Sequence, residues 1–132
     1  MFEQKVVVRF KDGRTLAGFG DSFLAGEAEI LVQDLGERIH RVLLQGVKMV
    51  CFVRDFASDP AETHRLSGKV LFQAVPGNRV RVAFRDGEVL EGITNLESRP
   101  TRGFFLTPLN PHGNNLSVYV NMDEVVSFRF LD

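Results

Sequence analysis

FKDGRTLAGF (residues 10–19) is written a second time, with the same punctuation, as FRDGEVLEGI (84–93). Extending both outward sets VVVRFKDGRTLAG (6–18) over VRVAFRDGEVLEG (80–92). The shared residues are Val6/Val80, Val8/Val82, Phe10/Phe84, Asp12/Asp86, Gly13/Gly87, Leu16/Leu90 and Gly18/Gly92. Before the Asp-Gly pair the matches fall on every second position, which is the period of a strand with one buried face. Asp-Gly between two such runs marks a hairpin, because both residues tolerate the positive φ that a tight turn asks for. The phrase is therefore a β-hairpin that occurs twice.

The duplication continues beyond the hairpin. AEILVQD (28–34) answers GFFLTPL (103–109), and RVLLQGVKMVCFVRDF (41–56) answers SVYVNMDEVVSFRFL (117–131). Each copy resolves into five short strands: 5–11, 14–20, 28–34, 39–45 and 48–55, then 78–85, 88–95, 103–108, 116–121 and 124–131. Five short strands bury a core by curling. The expected fold is all-β, two tandem five-stranded SH3-like or Sm-like small barrels. The first spans residues 1–56 and the second 78–132. A linker over 57–77, with Asp59, Pro60 and Glu62 as helix-start signals, is a candidate short helix.

The final strands of the two copies differ. In the second, Val126, Phe128 and Phe130 form one apolar face, and Val125, Ser127, Arg129 and Leu131 a mixed one. In the first, Val50 and Phe52 match Val126 and Phe128, while the other face carries Met49, Cys51 and Val53. A strand apolar on both faces must be covered on both. Met49, Cys51 and Val53 are therefore expected to form an interface, with the second barrel, the linker or another chain.

Composition narrows the chemistry. The chain has 132 residues, 44% apolar and 25% charged, with net charge −1; it contains twelve Phe, one Tyr and no Trp. Neither copy concentrates the Lys and Arg that phosphate neutralisation needs, which disfavours nucleic acid. Cys51 is the only cysteine, so no intrachain disulfide forms, and its apolar run reads as a buried hydrophobe. His40, His64 and His112 have no metal-site spacing, so no metal is expected. No nucleotide-binding glycine loop or nucleophile motif occurs, and no cofactor is expected. Asp12 and Asp86 read as turn residues rather than paired acid–base carboxylates. No run reaches a membrane span, and the N-terminus is too charged for a signal peptide, so a cytoplasmic setting is expected.

The strand–Asp-Gly–strand phrase, FVRDF (52–56) and GFFLTPLNPHGNNLSVYV (103–120) together resemble a bacterial family of tandem small β-barrels with no established activity. The resemblance implies the fold and a bacterial cytoplasmic protein. DGRTLAG (12–18) also looks like the first motif of Sm-like proteins, which bind RNA through a loop Asn and an Arg-Gly pair. The loop after Gly18 has no Asn, and the Arg-Gly positions align with Gln45-Gly46 and Asn121-Met122. That likeness supports the barrel and not the RNA site.

These features point to a non-enzymatic protein–protein interaction module, an adaptor or regulator in a bacterial signalling, polarity or motility system. The partner is another protein, with no membrane contact, and the sequence is compatible with a homo-oligomer. The contact residues expected are Arg99 and Arg102 on SRPTRG (98–103), and His112, Asn114 and Asn115 in NPHGNN (110–115), where the loops of the copies diverge most. The alternative is an Sm-like RNA-binding or nucleotide second-messenger-binding module, in which the same arginines would hold phosphate.

Overall fold

The computed structural model describes residues 3–56, 77–109 and 113–131. The linker expected over 57–77, His64 and His112 lie outside the described residues, Gly77 excepted. Ten strands form. They are β1 (Gln4–Phe10), β2 (Thr15–Gly20), β3 (Glu29–Asp34), β4 (Ile39–Leu43) and β5 (Val47–Val53), then β6 (Asn78–Phe84), β7 (Val89–Thr94), β8 (Gly103–Pro108), β9 (Asn115–Asn121) and β10 (Val125–Phe130). A single 3₁₀ turn joins β4 to β5 (Leu44–Gly46), and another joins β9 to β10 (Met122–Glu124). Among the described residues no helix is long and apolar enough to cross a membrane.

The Asp-Gly turns are alike in detail, but not in the expected way. Gly13 and Gly87 both sit at φ 92°, while neither Asp has positive φ. Gly13 N–H donates to Phe10 O and Phe10 N–H to Arg14 O; Gly87 and Phe84 repeat this with Phe84 O and Glu88 O. The loop is thus three residues long, a turn closed by glycine in the left-handed region. Asp12 Oδ1 accepts from Arg14 N–H and Asp86 Oδ1 from Glu88 N–H, each at 3.0 Å. Asp is selected for this acceptor role, and only the glycine for its φ.

All ten strands join one antiparallel sheet in the order β10-β6-β7-β8-β9-β5-β1-β2-β3-β4. Two closed barrels, each complete in itself, do not form. β5 ladders with β1 and β9, and β4 ladders only with β3, so neither half closes and the sheet stays open. The reason lies in β5, whose seven residues are all buried. Its free edge is taken by β9 of the other half, not by β4 of its own.

Each half nevertheless curls around its own core. Val6 and Val8 of β1 share a cluster with Val32 of β3 and Val42 of β4, although β4 is three strands away in the sheet. The second half repeats this with Val80, Val82, Leu106 and Val120. The central β5–β9 pair serves both cores. Val47, Val50 and Phe52 enter the first, and Met49, Cys51 and Val53 enter the second. β9 returns the exchange, sending Val118 and Val120 to the second core and Tyr119 to the first. Burying apolar surface from both faces of one strand makes the two halves interdependent.

The register also corrects the alignment of the copies. Val6, Val8 and Phe10 face Phe52, Val50 and Val47, and Val80, Val82 and Phe84 face Phe130, Phe128 and Val125. Val50 therefore corresponds to Phe128 and Phe52 to Phe130, two residues beyond the sequence match. Both strands carry a bulge at the same place, with Lys48 and Val126 as the extra residues. The bulge turns Val125 into the core, at 5% exposure, and Val126 out to solvent, at 58%, reversing their expected faces.

Candidate functional site

Two places in the sheet concentrate unusual chemistry: the β5–β9 seam and the two outermost strands. The seam has a buried charge at one end. Lys48, the bulge residue, is 5% exposed and lies 4.7 Å from the Phe84 ring centroid. Its Nζ donates to Asp86 Oδ2 at 2.6 Å and to Glu88 Oε1. Arg9 completes the cluster, with Nη2 2.9 Å from Glu88 Oε1 and Nη1 3.0 Å from Oε2. The second half's hairpin turn is thus held by two cations of the first half. The Lys48 hydrogen bond is the main cause of the lowered Asp86 pKa. Burial pushes Glu88 upward, but the Arg9 and Lys48 hydrogen bonds outweigh it and bring its pKa below the ordinary value. All four groups are ion-paired, so the cluster serves as a clamp.

At the same end of the seam, Asn121 is 6% exposed and spans the halves, with Nδ2 donating to Leu44 O at 3.1 Å and Val47 O at 2.8 Å. Asn114 fastens the far end: its Oδ1 accepts from Asp55 N–H at 3.0 Å and its Nδ2 donates to Asp55 O at 2.9 Å. Phe23, from the β2–β3 loop, packs against Phe105 and Tyr119 with centroids 5.1 Å away in each case.

The residues singled out from sequence fall in different places. Met49, Cys51 and Val53 are 2%, 5% and 5% exposed and line the second core. Burial pushes the Cys51 thiol up to about 11, which leaves it protonated at neutral pH. Arg99 and Arg102 are exposed, and neither makes an ion pair among the described residues. Asn114 and Asn115 do not share a surface with them; Asn115 pairs with Val53 at the end of the β5–β9 ladder. Among the described residues no group of three or more His, Cys, Asp and Glu is placed to hold a metal. His40 is engaged by Asp34, Nε2 to Oδ2 at 2.7 Å, and that hydrogen bond lowers the Asp34 pKa.

Sequence reasoning missed the clamp and Asn121. One signal was present: Lys48 stands alone among six apolar residues in VKMVCFV, and a lysine so placed needs a buried anion. Asp86 and Glu88 gave none, since both read as ordinary turn residues.

The sheet's two ends are the second place. β10 pairs with β6 and β4 with β3, and among the described residues nothing pairs with their outer sides. Leu131 N–H donates to Arg79 O at 2.9 Å, so strand alternation points the N–H groups of Phe128 and Phe130 away from β6. Around these open edges stand Ile39, Leu43, Val126 and Phe130, exposed by 58%, 60%, 58% and 41%. Open, apolar strand edges are rare in soluble proteins unless something covers them.

The model of a family of unknown function, DUF6982, matches residues 2–132. The chain belongs to that family. No curated protein and no solved structure matches it. The family match spans both copies and the seam.

Proposed function

We propose that this member of DUF6982 is a non-enzymatic protein–protein interaction module, made of two opened small barrels of the SH3-like or Sm-like kind in tandem. It acts in the bacterial cytoplasm as an adaptor or regulator in a signalling, polarity or motility system. One observation carries the reading: among the described residues, both ends of the ten-stranded sheet present an unpaired strand flanked by exposed Ile39 and Leu43 or Val126 and Phe130. An edge strand binds by adding a partner strand, whose backbone supplies the hydrogen bonds and whose alternate side chains fill the flanking apolar surface. Arg99 and Arg102, exposed on the β7–β8 loop, supply charge for orienting a partner.

The test is a photo-crosslinking amino acid placed at Val126, at Leu43 and, as a control remote from both edges, at Leu24, in the native cell. Adducts to protein at the two edges, lost when the neighbouring apolar residue is changed to Lys, are expected. Adducts only at Leu24, or salt-dependent binding of purified protein to RNA or a cyclic dinucleotide without protein adducts, would sink the proposal.

A further inference from the structure

The internal seam shows how one edge of this sheet receives another. β9, the fourth strand of the second half, lies antiparallel on β5, the fifth strand of the first half. Their counterparts, β4 and β10, are the two strands whose outer sides are open among the described residues. We infer that β4 of one chain docks on β10 of a second copy, repeating between molecules the pairing that β9 makes with β5 within one. This rests on reading the sheet edges as docking surfaces, and it names the occupant.

The register of the internal seam transfers directly. Met49, Val50, Cys51 and Phe52 face Val120, Tyr119, Val118 and Ser117. The equivalent pairs between copies are Ser127 with Val42, Phe128 with Arg41, Arg129 with His40, and Phe130 with Ile39. These pairs are chemically compatible. Phe130 meets Ile39, both exposed. Phe128 lies beside the Arg41 guanidinium, a cation over a ring. Arg129 arrives next to the Asp34 carboxylate, which already binds His40.

A second observation points to the same occupant. In the second half, Phe84 and Phe104 are each 2% exposed, because Met49, Cys51 and Val53 close that core from the neighbouring half. Their counterparts in the first half, Phe10 and Ile30, are only half-buried. Beside them runs a groove of about 480 Å³ whose lining combines the apolar Phe10, Leu16, Val42 and Leu43 with charged residues that include Lys11 and Arg41. It lies where a fifth-strand neighbour would sit against β4, and Val126 occupies on β10 the place that Lys48 occupies over Phe84. Among the described residues the first core lacks the cover that the second core has; β10 of another copy would bring Val126 over it, with Ser127 and Arg129 at the places of Met49 and Cys51.

The two surfaces differ, so the contact is head-to-tail. It leaves one free edge at each end, and such a contact builds a ring if the rotation closes and an open chain if it does not. The intermolecular seam lacks the internal clamp. Ala83 and Val126 replace Arg9 and Lys48, while Asp12 is already paired with Arg14. It is mixed in character and reversible where the internal seam is locked.

Sedimentation of the full chain with two capped variants tests this. Leu43→Lys blocks β4, and Val126→Lys blocks β10; both sites are exposed, so thermal melting of dilute protein should match wild type. Wild type is expected to show concentration-dependent species larger than a dimer, each variant alone a monomer, and an equimolar mixture a one-to-one complex that grows no further. As a register check, His40→Cys on one chain should form a disulfide with Arg129→Cys on the other, the buried Cys51 staying inert. Wild-type protein that stays monomeric, a variant that still self-associates, or a His40→Cys and Arg129→Cys pair that forms no disulfide between chains overturns the inference. If edge adducts to a different protein persist in that case, the interaction module stands and only self-assembly fails. If no protein is found at either edge, both fall.

Discussion

The fifth strands of the two halves, β5 and β10, occupy equivalent places and have opposite fates. β5 carries Met49 and Cys51 where β10 carries Ser127 and Arg129, and Lys48 where β10 carries Val126. The fourth strands differ in the same sense. Tyr119 in β9 is packed under Phe23, and a Cβ on the adjacent Gly103 would lie 2.1 Å from its hydroxyl oxygen. At the matching positions in the first half, Arg41 and Glu29 form an exposed ion pair. Asn121 bridges the seam where Leu43 faces solvent. The duplicated fold thus has one sealed joint and one open version of the same joint. Within these strands the difference lies in side chains, because the first and fifth strands of the two halves pair in the same register down to the bulge.

The comparison can be broken most severely at Met49. Met49→Asp places an unpaired charge between the cores and should cost about 4 kcal/mol. Ser127→Asp, at the matching half-exposed position, should stay within about 0.5 kcal/mol. Urea unfolding of both variants measures the contrast; equal effects would mean that the seam does not hold the halves together.

Asn121→Ala leaves the Leu44 and Val47 carbonyls without their buried donor and should cost about 2 kcal/mol. Leu43→Asn, its reciprocal on the open edge, should leave the stability of dilute protein unchanged. The same unfolding curves read both.

Lys48→Met should cost about 1–2 kcal/mol, because Arg9 and water still serve the partly exposed carboxylates. Its pH dependence sharpens the point. Asp86 and Glu88 have folded pKa values below their unfolded ones. The stability they contribute is fully present above the ordinary carboxylate range, about pH 4, and is lost as pH falls through the lowered values. Wild type should therefore lose more stability than Lys48→Met between neutral pH and about pH 3, measured by thermal melting across that range. Identical acid curves would show that the clamp contributes nothing.

The smallest effect belongs where the halves do not differ. Gly13→Ala and Gly87→Ala should each cost about 1 kcal/mol, since both glycines sit at φ 92° with open space around the missing Cβ. A large inequality between them would mean that the two hairpins are less alike than their hydrogen bonds.

Most of the fold was legible from local pattern. The strand segments, the two hairpins and the doubly apolar fifth strand depend on residues within a few positions of each other, and side-chain alternation and turn chemistry write those into the chain. The clamp was half legible, as a lone Lys48 in an apolar strand. Its acceptors were not, because Asp86 and Glu88 look the same in a solvated turn as under a buried ammonium. The register offset was hidden by the bulges, since an extra residue in each fifth strand keeps the apolar alternation plausible at the wrong alignment. By itself, then, the sequence determined that there would be two matched sets of five strands, and that Met49, Cys51 and Val53 had to be covered. Only the tertiary structure decided what covers them, and that the ten strands run as one open sheet instead of two closed barrels. Strand pairing is made by backbone groups that every residue carries. No residue pattern marks which edge β5 will accept, and that choice follows from which pairing lets both cores exclude water at once.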